Sequence, residues 1–134
     1  MPPHMKLKNP EDLHRAFQKI DQLTQQRYLE AAVNAGLQPI NNQAIENAPK
    51  VTTTLARSIH TEIVESRPTY CEGASGTNLD YARRIELGYN DTDSLGRTYH
   101  QPAQPYLRPA FDEKKDEAVA EMSDALKEIL TSLI

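Results

Sequence analysis

Residues 105–134 read PYLRPAFDEKKDEAVAEMSDALKEILTSLI. Pro109 suits the first position of a helix, where its missing N–H is no loss, and Asp112 and Glu113 suit the positive end of the helix dipole. Ala118, Met122, Ala125, Ile129 and Leu133 then recur at steps of three and four, with Val119, Leu126 and Leu130 widening the stripe. This spacing predicts one long amphipathic helix from about Pro109 to near the end of the chain, its apolar face turned against a sheet.

Helical spacing returns at the other end. Asn9-Pro10-Glu11-Asp12 reads as a helix start, and Leu13, Phe17, Ile20 and Leu23 follow as one apolar stripe. Tyr28, Leu29, Ala32 and Val33 carry a second helical stretch, and Ile40, Ala44, Ile45 and Ala48 a third. Gly36 and Pro39 stand between them, so residues 10–47 read as two or three helical pieces with a bend near Gly36–Pro39, closed by Pro49.

The middle of the chain changes period. Thr52, Thr53 and Thr54 form a cap-like cluster before Leu55-Ala56-Arg57, read as one short helical turn. Ser58–Glu65 (SIHTEIVE) alternates as a strand, with Ile59 and Ile63 on one face and His60 and Glu62 on the other. Pro68, Gly73, Gly76 and Asn78 mark residues 66–80 as a loop or wide hairpin connection. Tyr81–Leu87 (YARRIEL) is a strand or short helix, and residues 88–105 read as a long loop, either functional or mobile. The expected fold class is α+β: N-terminal helices and a long C-terminal helix packed on a small antiparallel sheet. Its core is expected to hold Phe17, Ile20, Ile59, Ile63, Ile85, Tyr106, Leu107, Phe111, Met122, Ile129 and Leu133.

Composition narrows the function. A chain of 134 residues fits one domain, and with 38% hydrophobic residues, 6% aromatics and no Trp its core must be aliphatic and modest. Residues 1–5 (MPPHM) read as a tag or disordered start, leaving 6–134 as a single domain. The net charge is −4, with 4 basic against 7 acidic groups over residues 108–134 and no basic run anywhere. That balance argues against nucleic-acid binding, which needs a concentrated basic surface. Cys71 is the only cysteine, which rules out an intrachain disulfide and makes a reducing compartment the default. No stretch approaches the ~20 apolar residues of a membrane span.

Candidate chemistry is sparse. His4, His14, His60 and His100 show no metal-ligand spacing with one another or with Cys71. His60, Cys71 and His100 could form a thiol site only if the fold brought them together, and the simpler reading is a lone cysteine in a glycine-flanked loop. Gly73-Ala74-Ser75-Gly76 lacks the lysine of a phosphate loop and reads as a turn. The carboxylates of the last helix, interleaved with Lys114, Lys115 and Lys127, read as a solvated face laced with i,i+4 pairs. The segment Pro102–Phe111, with three prolines in eight residues, the last of which launches the helix, is at least a rigid loop-to-helix junction.

Four segments, taken in order, carry a resemblance: Ala48-Pro49; Thr53-Thr54-Leu55 with Ser58-Ile59; Tyr81-Ala82-Arg83-Arg84-Ile85-Glu86-Leu87-Gly88; and Pro105-Tyr106-Leu107-Arg108-Pro109-Ala110-Phe111. Together, over roughly residues 28–130, they resemble the "gene product ten" family of HK-type, lambda-like siphophages, the tail-completion or head–tail joining components. Thr54 stands where that pattern has Gly, and Leu87 where it has an aromatic residue.

The resemblance implies a structural subunit of a tailed-phage virion, a neck or minor tail protein that acts in tail completion or termination. It implies a homo-oligomeric ring, six copies being the expected number, in contact with other neck and tail proteins, with DNA passing the lumen without sequence-specific binding. No cofactor, metal, membrane or enzymatic activity is implied, and the place of action is the virion, after synthesis in the host bacterial cytoplasm. A closed ring needs two different surfaces per subunit. The residues expected to supply them are Tyr81, Arg83, Arg84, Glu86, Gly88, Tyr99, Pro105, Tyr106 and Arg108. Glu86 and Arg108, each beside apolar neighbours, are expected to be paired with each other or across a subunit boundary. The competing readings are a small monomeric or dimeric regulatory or binding module and, behind it, a small hydrolytic or toxin-like enzyme.

Overall fold

Two long helices run side by side in opposite directions, and everything else is arranged on them. The structure is a computed structural model that describes residues 11, 14, 15, 18, 20–50 and 53–132. The expected helix start at Asn9-Pro10, the core positions Phe17 and Leu133, and part of the threonine cluster (Thr52) lie outside the described residues.

Helix α1 spans Gln22–Asn47 and begins where Asp21 accepts from the Thr24 N–H (3.0 Å) and hydroxyl (2.8 Å). It continues unbroken through Gly36 and Pro39, so the expected separate helical pieces are one helix. A proline inside a helix removes one backbone hydrogen bond and crowds the preceding turn, at about 3 kcal/mol. Packing on both sides of Pro39 offsets that cost. A β-carbon on Gly36 would lie 3.0 Å from the Ala118 carbonyl oxygen and would also meet the Met122 side chain, so glycine is what lets the two long helices close up. One turn beyond the proline, Ala44 is fully buried.

Helix α2 is the short turn Thr54–Ser58, closed by the Ser58 hydroxyl donating to the Leu55 carbonyl at 2.6 Å. Strands β1 (His60–Arg67) and β2 (Tyr70–Gly76) form an antiparallel hairpin with Arg67 opposite Tyr70 and a register shift at Val64. Of the loop or wide hairpin connection expected at 66–80, the hairpin is present but most of the segment is strand, and Gly73–Gly76 is part of β2 and not a turn. Gly73 belongs there because the sheet lies hard against α1: a β-carbon on it would come within 2.7 Å of Leu37 and Val33 side-chain carbons. The face turned to α1 is also unusually polar. Ser75 donates to buried Asn41 (2.7 Å), Ser66 donates to Glu30, and Gln26 donates to the Ser66 carbonyl (3.2 Å).

Helix α3 covers Ala82–Leu87. The expected long loop at 88–105 contains a second antiparallel hairpin, β3 (Tyr89–Thr92) with β4 (Thr98–Gln101). Its tip is tied by Asp93, which accepts from the N–H groups of Leu95 and Arg97 (both 2.9 Å), the Arg97 guanidinium (2.6 Å) and the Tyr99 hydroxyl (3.1 Å). Short polar strands without an apolar face are what hid this hairpin from period analysis.

Helix α4 runs Leu107–Ser132, two residues ahead of the expected start at Pro109. It packs on α1 and not on the sheet. The fold is α+β as expected, but α1 is its middle layer, with the β1–β2 hairpin and α4 both laid against it.

The densest packing lies at one end, where Ala44, Ala48, Leu55, Ala56, Ile59, Ala82, Tyr106 and Ala110 form one buried cluster. Five alanines among eight let backbones approach closely around Tyr106, the one aromatic side chain of the cluster. Ile59 and Tyr106 are buried as expected, and Ile20, Ile63, Ile85, Leu107, Met122 and Ile129 are half-buried. Phe111 is 54% exposed, against expectation. It lies at the mouth of an open groove floored by Leu37 and Ile40 of α1 and walled by Gly73–Ser75 of β2.

Candidate functional site

The YARRIELG and PYLRPA segments, about twenty residues apart in sequence, meet at the start of α4. Glu86 is the hinge pin. Its Oε2 accepts from the N–H groups of Tyr106 (2.7 Å) and Leu107 (3.0 Å), and its Oε1 from that of Arg108 (3.1 Å). These are the orphan donors of the first turn of α4, and a carboxylate aimed at them also meets the positive end of the dipole. A residue on α3 thus caps a helix that begins some twenty positions later.

Two further contacts lock the same junction. The Gln104 N–H donates to the Ile85 carbonyl (2.8 Å), and the Tyr106 hydroxyl donates to the Ala82 carbonyl (3.3 Å). Burial pushes the Tyr106 phenol above its usual range, with the nearby Glu86 charge adding to the effect. Gly88 then turns the chain away with φ +72°, and a β-carbon there would stand 2.7 Å from the Ala103 nitrogen and 2.8 Å from the Gln101 carbonyl oxygen. Only glycine fits that place.

The nine expected interface residues therefore separate by position. Glu86, Gly88 and Tyr106 hold the junction together from inside, Tyr106 being fully buried. Tyr81, Arg83, Arg84, Tyr99, Pro105 and Arg108 lie on the surface around it. Arg84 stacks on the Tyr89 ring at 5.1 Å. Glu86 and Arg108 do meet, but through the Arg108 backbone. The Arg108 side chain is 87% exposed and its guanidinium reaches no closer than 4.0 Å to Asp112. The expected charge pair between the two side chains is replaced by a helix cap, which serves a half-buried carboxylate better because three donors converge on it.

Sequence reasoning missed this role because it looked for a cation to satisfy Glu86. Backbone N–H groups leave no mark on composition. The available signal was a helix start around Leu107–Pro109 with no Ser, Thr, Asp or Asn in the residues just before it.

No thiol site forms. His60 pairs with Gly76 at the open end of the first hairpin and Cys71 with Ser66 near its turn, about 17 Å away at ~3.3 Å per residue, while His100 lies on the second hairpin beside Asn90. Burial raises the pKa of Cys71, which makes its thiolate scarcer. Among the described residues no group of three or more His, Cys, Asp or Glu is placed to hold a metal ion, and no helix is long and apolar enough to cross a membrane.

The geometry defines an α+β domain whose most distinctive segments are spent on joining helices rigidly, with an exposed basic and aromatic surface around the joint. Residues 11–88, more than half of the chain, match the family described as "Bacteriophage HK97-gp10, putative tail-component". The chain belongs to this family of phage tail components. The match takes in the YARRIELG segment and ends at Gly88, so the PYLRPA segment falls outside it although the fold ties the two together. No curated protein and no solved structure matches the chain.

Proposed function

We propose that this protein is a non-enzymatic structural subunit of the virion neck, acting in tail completion or head–tail joining by closing into a ring with copies of itself. The observation that carries the reading is the Glu86-capped junction. It fixes α3, the prolyl approach and the start of α4 as one rigid block, and leaves Tyr81, Arg83, Arg84 and Arg108 presented on its outside. A subunit that must meet a neighbour at a fixed angle around a closed ring needs such a rigid block, because angular error accumulates with every copy. Membership in a phage tail-component family supports the same reading. Six copies are the proposed number, with other neck and tail proteins above and below and DNA passing through the lumen without base-specific contact. Sedimentation and native mass measurement of the purified chain test it: closed oligomers of one size are expected. A monomer or dimer that persists at high concentration would overturn the ring and favour a small binding module.

A further inference from the structure

Helix α4 carries a stripe of five carboxylates. Glu113, Glu117, Glu121, Asp124 and Glu128 follow one another at steps of four, four, three and four, and all are exposed. At about 100° per residue they fall within about 80° of arc and extend over about 22 Å of helix. Like charges at these spacings repel one another. Among the described residues only Glu117 of the five has an ion partner, Lys114 at 3.3 Å. The stripe is a helix face under its own repulsion, which a cationic surface would relieve.

The same chain carries such a surface elsewhere. Lys50, Arg57, Arg83 and Arg84 stand just after α1, on α2 and on α3, beside Ala48, Ala56 and Ala82 of one buried cluster. All four are exposed, and none forms an ion pair among the described residues. Glu46 and Asp80 are the exposed carboxylates on the same stretches. Exposed Tyr81 and Leu87 at the two ends of α3 (40% and 63%) add apolar area within this basic end.

We propose that the basic end formed by α2 and α3 of one copy docks on the Glu113–Glu128 stripe of α4 of the next copy, and that this separation of sign gives the assembly its head-to-tail direction. The inference rests on the ring reading above and adds to it which faces meet. A twofold contact through either surface would set like charge against like. Basic end against acidic stripe attracts, uses two different surfaces, and leaves one of each free on every pair, so it propagates until the ring closes. The occupant is a second copy because the complementary charge lies on the chain itself.

The test is a charge swap read by sedimentation, with circular dichroism checking the fold. Arg83→Glu/Arg84→Glu should leave the chain monomeric, and so should Glu117→Lys/Glu121→Lys. Mixing the two variants, or placing all four changes in one chain, should restore the wild-type oligomer. For the wild type, raising salt from about 0.05 M to about 0.5 M should weaken association at least about tenfold. If Arg83→Glu/Arg84→Glu fails to fold, the wild-type salt series and the Glu117→Lys/Glu121→Lys variant carry the decision. Wild-type rings that ignore salt, or reversed variants that assemble normally, would overturn this contact while leaving the ring intact. A wild type that never oligomerises would instead remove the ring reading itself.

Discussion

Glu86 is the side chain whose loss should be felt most. Three backbone donors converge on its carboxylate, and hydrogen bonds to a charged group contribute about 1.5–3 kcal/mol each before losses overlap. Glu86→Gln, which turns an acceptor into a donor facing N–H groups, should destabilise by about 2–4 kcal/mol in urea or thermal unfolding. Arg108→Ala should cost less than about 0.5 kcal/mol, because an exposed guanidinium 4.0 Å from its partner contributes little. A double-mutant cycle should therefore be additive, and coupling above about 1 kcal/mol would mean the two side chains pair after all.

His60 supplies a prediction in pH. The Ser58 carbonyl (2.8 Å) and then the Glu62 carboxylate (2.7 Å) favour its charged form and raise its pKa. A raised folded-state pKa stabilises the fold fully below the unfolded value of about 6.5, and the gain disappears as pH rises through the folded value. His60→Gln should flatten that decline and leave stability above it unchanged.

Among the elements, glycine is needed for space where the two long helices meet and for both space and backbone conformation at the end of α3. Gly36→Ala adds helix propensity but pushes a methyl towards the Ala118 carbonyl oxygen and Met122, so α1 and α4 must move apart. A net loss of about 1–2 kcal/mol is expected, well above the gain of about 1 kcal/mol that a solvent-facing helix position would show. Gly88→Ala meets backbone on two sides at positive φ, where nothing flexible can yield, and should cost about 2–4 kcal/mol. Phe111→Ala is the contrast. At 54% exposure it should cost about 1 kcal/mol or less, far below the 3–5 kcal/mol of an emptied aromatic core position. A cost in that higher range would show that the groove closes over Phe111 in solution.

For the molecule as a whole, the second hairpin is the part that can be removed. It packs chiefly on itself, β3 against β4, while α1 holds α4 and the first hairpin. Deleting residues 90–100 should keep the helical circular dichroism signal and lower the oligomer size or the yield of infectious particles. Loss of helicity on deletion would show that the hairpin supports the core.

Periodicity in the sequence was sufficient for the two helical ends, the first strand and the α+β class, because apolar residues at steps of three and four have few other uses. The ordered short motifs also carried the family. The sequence could not show which layer α4 covers, since an amphipathic stripe records that a face is buried and not what buries it. Gly36 and Pro39 suggest a break because local propensity is blind to α4, which packs against Gly36 along one continuous helix. The second strand of the first hairpin was obscured by glycine and polar residues that only a neighbouring surface explains, Gly73 by Leu37 and Val33 and Ser75 by Asn41, and the second hairpin by strands with no apolar face. Glu86 was marked as a residue that needed a partner, and three-dimensional closeness supplied one that no side-chain pattern encodes, the bare N–H groups at the start of a helix.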